Sequence, residues 1–159
     1  MNQSYWRSKS GRRAIKKSNQ YPYKKYNLLC AIKYNKVVSW ILYKKSGGIK
    51  SNDVLEFYQK FIENKYKKHV IVMDNASIHK AKTIKHAISE SKNTLQYTVP
   101  YHPETNAIEE FFSQLKHYIK KEVPMNYDEI HTSITTIIQN KIKRKHLENY
   151  IKHMFRIYS

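Results

Sequence analysis

The sequence predicts an α/β fold built on a mixed sheet flanked by helices, and three features carry that prediction. Two runs rich in β-branched and aromatic residues, within "YNLLCAIKYNKVVSWILYKK", read as a hairpin. The continuous apolar run "HVIVMD" reads as a strand buried on both faces. Around these, apolar residues recur at helical spacing, giving the order strand, strand, helix, strand, helix, strand, helix.

The elements follow in order. The opening "MNQSYWRSKSGRRAIKKSNQYPYKK" is polar, basic and aromatic. Its Tyr5, Trp6, Arg7, Lys9, Arg12 and Arg13 combine rings with cations, a mixture suited to stacking on bases and contacting phosphates. An exposed, solvated basic arm is an equal reading. The hairpin is expected to turn near Tyr34-Asn35-Lys36, and Gly47-Gly48 ends it. "SNDVLEFYQKFIENKY" repeats Val54, Leu55, Tyr58, Phe61 and Ile62 on one helical face, with Ser51, Asn52 and Asp53 supplying the cap and a first-turn acid. After the strand ending in Asp74, a helix is expected from about Lys80 to Ser89, then the short strand "LQYTV". A Pro-flanked loop leads to a helix from Ala107 carrying Ile108, Phe111, Phe112, Leu115 and Ile119. Asn126 to Tyr158 reads as two more amphipathic helices with basic outer faces. Residues 1–125 are thus expected to form the core, and 126–159 a helical C-terminal tail packed on the same domain.

At 159 residues the chain is long enough for one domain with a real core. Thirty Lys and Arg against twelve Asp and Glu give a net charge of +18, which favours a polyanion, nucleic acid before membrane. Most of the cations are lysine, and Asn, Ile and Tyr are abundant too. AT-rich coding produces this mixture, so charge supports a nucleic-acid partner without deciding it. The single Cys30 excludes an internal disulfide and a Cys-rich zinc site, and its apolar surroundings read as core. His102, His117 and His131 form no zinc pattern. No stretch is apolar enough to span a membrane and no signal peptide precedes the basic start, so an intracellular protein is expected, in the cytoplasm, nucleoid or nucleus. Three glycines form no phosphate loop, and Ser77 lacks a nucleophile elbow.

The acids narrow the search. Residues 1–50 hold thirteen Lys and Arg and no Asp or Glu, and the chain has only Asp53, Asp74 and Asp128 as aspartates. Asp74 ends a strand, at the sheet edge where α/β proteins place their sites. On a helical wheel from Ala107, Glu110 falls opposite the apolar face and is expected in solvent, while Glu109 falls on the flank. Each acid has an ordinary explanation. Asn106 and Glu109 have capping-box spacing, and a strand-ending Asp often begins a turn. Together, two acids on rigid elements of a basic protein suit Mg²⁺ or Mn²⁺, hard cations that prefer oxygen ligands. Lys116, Lys120 and Lys121 lie along the same helix, as the lining of a DNA channel or as plain surface.

"VIVMDNASIHKAK" and "VPYHPETNAIEEFFSQLK", with thirty-four residues between Asp74 and Glu109, resemble the catalytic core of mariner-type transposases and their bacterial insertion-sequence relatives. These are DDE superfamily endonucleases with an RNase H-like fold. The resemblance covers residues 5 to about 122. It implies that Asp74 is the second catalytic acid, followed by the supporting Asn75 and His79. Glu109 is then the third, within a framework of Pro100, Tyr101, Pro103, Asn106 and Ile108; Ala107 replaces a common proline. It further implies that Asp74 and Glu109 ligate Mg²⁺ or Mn²⁺. The implied chemistry is DNA cleavage by water, then strand transfer by a DNA 3′-hydroxyl. Partners would be transposon ends, target DNA and a second copy or a full-length transposase subunit. "YWRSKSGRR", with Tyr5, Ser8 and Gly11, matches the stretch after the family's first strand. The chain is therefore expected to start just past the first catalytic aspartate, with the first strand missing. That opens an alternative: an inactive transposase remnant that binds DNA or a transposase subunit. An unrelated RNase H-like nuclease is a third, weaker reading.

Overall fold

The computed structural model describes residues 26–44, 47–100, 102 and 105–156. Strands β1 (Asn27–Lys33) and β2 (Lys36–Tyr43) form the expected antiparallel hairpin around Tyr34-Asn35, with a register slip at Ala31/Ile32. Because successive strand residues point to opposite faces, β1 divides its side chains between two cores. Leu28, Cys30 and Ile32 enter one, and Leu29 enters the other.

Helix α1 (Ser51–Tyr58) starts one residue earlier than its polar cluster suggests. Lys50 is the N-cap, and the Asp53 carboxylate reaches back to accept its N–H at 2.7 Å. The acid expected simply to favour the first turn therefore satisfies one of the helix's orphan donors. Beyond Tyr58 the helix widens into a π-turn at Gln59–Glu63, which the apolar spacing does not announce.

Strands β3 (Val70–Met73) and β4 (Thr94–Tyr97) pair in parallel, joined through a 3₁₀ turn at Ser77–Lys80 and helix α2 (Lys82–Glu90). One expectation is corrected here. β3 is not buried on both faces: Ile71 and Met73 pack on the core of α1 and α2, but Val70 is 62% and Val72 39% exposed. A continuous apolar run does not say how many faces find a neighbour, and among the described residues only one does. Among the described residues the strands pair as two short ladders, one antiparallel and one parallel, between flanking helices. The hairpin meets the start of β3 through side chains, with Lys33 Nζ 3.4 Å from His69 Nε2.

Helices α3 (Ala107–Glu122), α4 (Tyr127–Asn140) and α5 (Arg144–Arg156) complete the chain. Phe111 and Leu115 of α3 are fully buried against Ile137 of α4, Leu147 and Met154 of α5 and the Cys30 face of the hairpin. α4 is capped twice over: Asn126 accepts from Glu129 N at 2.9 Å, and the Glu129 carboxylate accepts from Met125 N at 2.6 Å. Among the described residues, no helix is long and apolar enough to cross a membrane.

Candidate functional site

The parallel register of β3 and β4 determines what meets at their ends. Met73 lies opposite Tyr97, so Asp74 and Thr98 leave the ladder at the same level. Thr98 N–H donates to Met73 O at 2.9 Å, and the Asn75 side-chain amide donates to Thr98 O. These two bonds tie the turn after Asp74 to the segment that leads into α3. That segment ends at Asn106, and Glu109 lies in the first turn of α3. Asn75, Thr98, Pro100, His102, Asn106 and Glu109 line a groove of about 180 Å³. Asp74 is adjacent in sequence to this lining but does not itself form part of it.

The Asp74 carboxylate is held by one oxygen. Its Oδ1 accepts from the Ala76 N–H at 2.9 Å and from the His79 Nδ1–H at 2.6 Å. His79 is the more buried partner, and the Tyr97 O–H donates to its carbonyl at 3.0 Å, anchoring the 3₁₀ turn on β4. Oδ2 accepts no hydrogen bond among the described residues, and the side chain is 44% exposed. His79 thus takes the local hydrogen-bonding role that is the ordinary expectation for a lone histidine.

Glu109 and Glu110 divide differently from the wheel. Glu109 is exposed, and no hydrogen bond or ion pair engages its carboxylate among the described residues. The Asn106 side chain makes no cap bond, so Glu109 is not absorbed by a capping box. Glu110, expected in solvent, is half-buried and accepts from His153 Nδ1 of α5 at 2.6 Å. The wheel misplaces Glu110 because it describes α3 alone. The docking of α5, marked also by the Tyr150 O–H donating to Gln114 Oε1, supplies a partner from outside.

What the arrangement offers a metal is two carboxylates, one with a free oxygen and one wholly free. That donor chemistry fits Mg²⁺, which is commonly held by one or two carboxylates with water and phosphate completing its shell. Among the described residues, no group of three or more His, Cys, Asp or Glu is placed to hold an ion. Asp53 and Asp128 are committed to the starts of α1 and α4. His131 meets the Trp40 ring at a tilt, 4.7 Å between centroids, and His117 meets Tyr118 edge-on at 5.6 Å; neither joins a zinc set among the described residues.

Burial pushes the Cys30 thiol up to about 12, as befits a core residue rather than a nucleophile. Lys116, Lys120 and Lys121 are exposed on α3. Tyr5, Trp6, Arg7, Lys9, Arg12 and Arg13 lie outside the described residues, as do Tyr101 and Pro103. Sequence reasoning missed Tyr97 and Thr98, which anchor the turn, and the place of His102 in the groove. The strand-to-strand register, invisible in one strand's own pattern, is what makes them neighbours of Asp74.

The chain matches the family described as DDE superfamily endonuclease over residues 1–131. No protein of curated function matches it by sequence. Its fold is similar to that of a chain in the crystal structure of the Mos1 strand transfer complex, at TM-score 0.74 and 13% identity, covering 99% of this chain and 47% of that one. This chain thus spans about half the length of that relative. It is also similar to the Mos1 transposase catalytic domain solved with Raltegravir and Mg, at TM-score 0.71 and 12% identity, covering 80% of this chain and 68% of that one. A chain in the simian T-cell lymphotropic virus intasome complex with PP2A regulatory subunit B56 gamma matches at TM-score 0.50 and 16% identity, covering 77% of this chain and 53% of that one. At these identities the likeness is one of fold: mixed α/β, of the RNase H-like kind.

Proposed function

Since the chain belongs to the DDE superfamily endonucleases, we propose that it acts on DNA at the edge formed by Asp74 and Glu109, in transposase-type cleavage and strand transfer. One observation carries this reading. The Asp74 turn and the groove holding Glu109 are tied together by Asn75, and both acids keep carboxylate oxygen unbonded among the described residues. Asp74 is engaged only at Oδ1 and Glu109 by nothing among the described residues, so carboxylate oxygen remains at this edge for a hard cation that prefers oxygen ligands.

Each residue then has a role. Asp74 and Glu109 hold Mg²⁺ or Mn²⁺. The Ala76 N–H and the His79 Nδ1–H occupy Oδ1 of Asp74 and so fix the direction of Oδ2. Tyr97 holds His79 in place through its carbonyl, and Asn75 keeps the β3 end and the loop to α3 at one spacing. Asn106 and His102 line the groove beside Glu109, where a substrate backbone would lie. When bound, the cation supplies neutralisation of phosphodiester charge and a more acidic water. Lys116 and Lys120, exposed along α3, give phosphate contacts leading away from the edge. The DNA partners are element ends and target, with a second copy or a full-length subunit completing the assembly.

The test is nicking of supercoiled plasmid by the full chain with Mg²⁺ or Mn²⁺. The expected result is metal-dependent nicking that Asp74→Asn and Glu109→Gln each abolish. Nicking that survives either substitution contradicts the assignment. A second reading, DNA binding without cleavage, is favoured by the lack of a third carboxylate beside the first two among the described residues. Salt-sensitive DNA binding without nicking, unchanged by both substitutions, is its signature.

A further inference from the structure

The other end of β3 has the opposite character. His69 precedes the strand and Asp74 follows it, about 16 Å apart along an extended chain. At the His69 end three turns converge. The hairpin tip touches His69 through Lys33, and the loops before β3 and β4 are joined by the Lys68 N–H donating to Lys92 O at 3.0 Å. Each turn brings exposed lysine: Lys36 from the first, Lys67 and Lys68 from the second, Lys92 from the third.

The lysines are arranged rather than merely numerous. The Tyr66 ring carries Lys33 Nζ at 5.3 Å and Lys36 Nζ at 5.9 Å, holding two ammonium groups on one aromatic platform. His69 meets the same ring edge-on at 5.4 Å; its Nδ1–H donates to Lys67 O at 2.7 Å, which turns Nε2 toward Lys33. None of these lysines is paired with a carboxylate among the described residues; the ion pairs found there lie elsewhere, at Asp74, Glu110 and Glu148. Two of the lysines also occupy left-handed backbone, Lys68 at φ 56° and Lys92 at φ 61°. Coding bias explains many lysines, but the same bias supplies asparagine, which takes that conformation with less strain. Lysine at both positions is what a cationic surface requires.

We infer that the convergence of the hairpin tip with the turns before β3 and β4 is a second DNA-backbone surface, at the sheet end opposite the Asp74–Glu109 edge. It rests on the reading of this chain as a DNA-acting protein. Lysine contacts to phosphate position a duplex without reading its sequence, so this surface takes DNA away from the reacting bond.

The experiment measures binding of the full chain to a labelled 30-base-pair duplex across a salt series, by fluorescence anisotropy. The variant carries Lys36→Gln, Lys67→Gln, Lys68→Gln and Lys92→Gln; glutamine removes the charge, keeps an unbranched polar side chain one atom shorter, and adds no new backbone strain. A matched variant removes the same charge elsewhere, at Lys44, Lys50, Lys60 and Lys152, all exposed. Loss of four phosphate contacts lowers the slope of log affinity against log salt by roughly 3 to 4, and the matched variant lowers it far less. If the parent binds DNA and the two variants weaken it equally, the surface is overturned while the functional reading stands. If the parent binds no DNA, the functional reading fails and the surface fails with it. Unchanged melting temperatures confirm that the comparison is between folded proteins.

Discussion

The two acids of the candidate site stand on two different cores. Asp74 follows a strand whose inner face, Ile71 and Met73, packs on Val54, Tyr58, Ile84, Ala87 and Ile88 from α1 and α2. Glu109 belongs to α3, whose Phe111 and Leu115 are buried among α4, α5 and the hairpin. The first core is small and stitched by polar bonds. Asn93 donates to the Tyr58 hydroxyl and to Tyr66 O, both at 2.9 Å, and accepts from His69 N at 3.0 Å. The second is larger and mainly apolar. The difference shows how the edge is built: each core carries one of the two carboxylates, and the Asn75–Thr98 bond ties the turn after Asp74 to the start of the segment that leads into α3.

Substitutions should divide along the same boundary. The largest effect is expected from Phe111→Ala, a fully buried ring in the larger core, at about 3–5 kcal/mol of lost stability. Denaturant unfolding measures it, and a loss below 1 kcal/mol would mean that α3 is not the centre of that core. Asn93→Ala removes the side-chain partner of Tyr66 O and His69 N, while the Tyr58 hydroxyl keeps Ser91 Oγ, and should cost about 1–3 kcal/mol. Hydrogen exchange should then rise in β3 and β4 before it rises in α3; a uniform rise would merge the two cores into one.

Asn75→Ala sharpens the comparison further, because it removes the tie between the Asp74 turn and the segment leading into α3 and touches neither apolar core. A stability loss of about 1 kcal/mol is expected, with a larger proportional loss of metal affinity. A variant with parental metal affinity would show that the tie positions nothing.

The smallest effect at ordinary pH comes from Cys30, on the hairpin face that enters the larger core. Its thiol holds its proton up to about 12 in the folded chain, against 9.0 when exposed. Stability from this group is fully present well below pH 9 and is lost progressively as pH rises from about 9 toward 12, because the unfolded thiol ionises first. Subtracting the pH profile of Cys30→Ala isolates the term, and a Cys30 that reacts rapidly with a thiol reagent in native protein at pH 8 would contradict its burial.

Much of this architecture is legible in the sequence, and the illegible parts share one cause. The hairpin turn at Tyr34-Asn35 and the faces of α3, α4 and α5 follow from local periodicity, which is a property of each segment alone. The exposure of Val70 and Val72 is not local: "VIVM" reads the same whether one face is covered or two. Glu110 shows the same limit, since His153 lies forty-three positions away and arrives only when α5 docks. Asp74 and Glu109 were found from motif spacing and from the scarcity of acids. That Oδ1 of Asp74 is occupied and Oδ2 free depends on the 3₁₀ turn at His79, which no spacing rule supplies.

The most direct test of a site shared between two cores is Mn²⁺ affinity of the full chain, measured by titration calorimetry for the parent, Asp74→Asn, Glu109→Gln and Glu110→Gln. One Mn²⁺ ion per chain is expected, weakened about tenfold or more by Asp74→Asn and by Glu109→Gln alike, and left unchanged by Glu110→Gln. Parental affinity in Glu109→Gln, or a loss in Glu110→Gln equal to that in Asp74→Asn, would contradict it: the two cores would not meet at one ion.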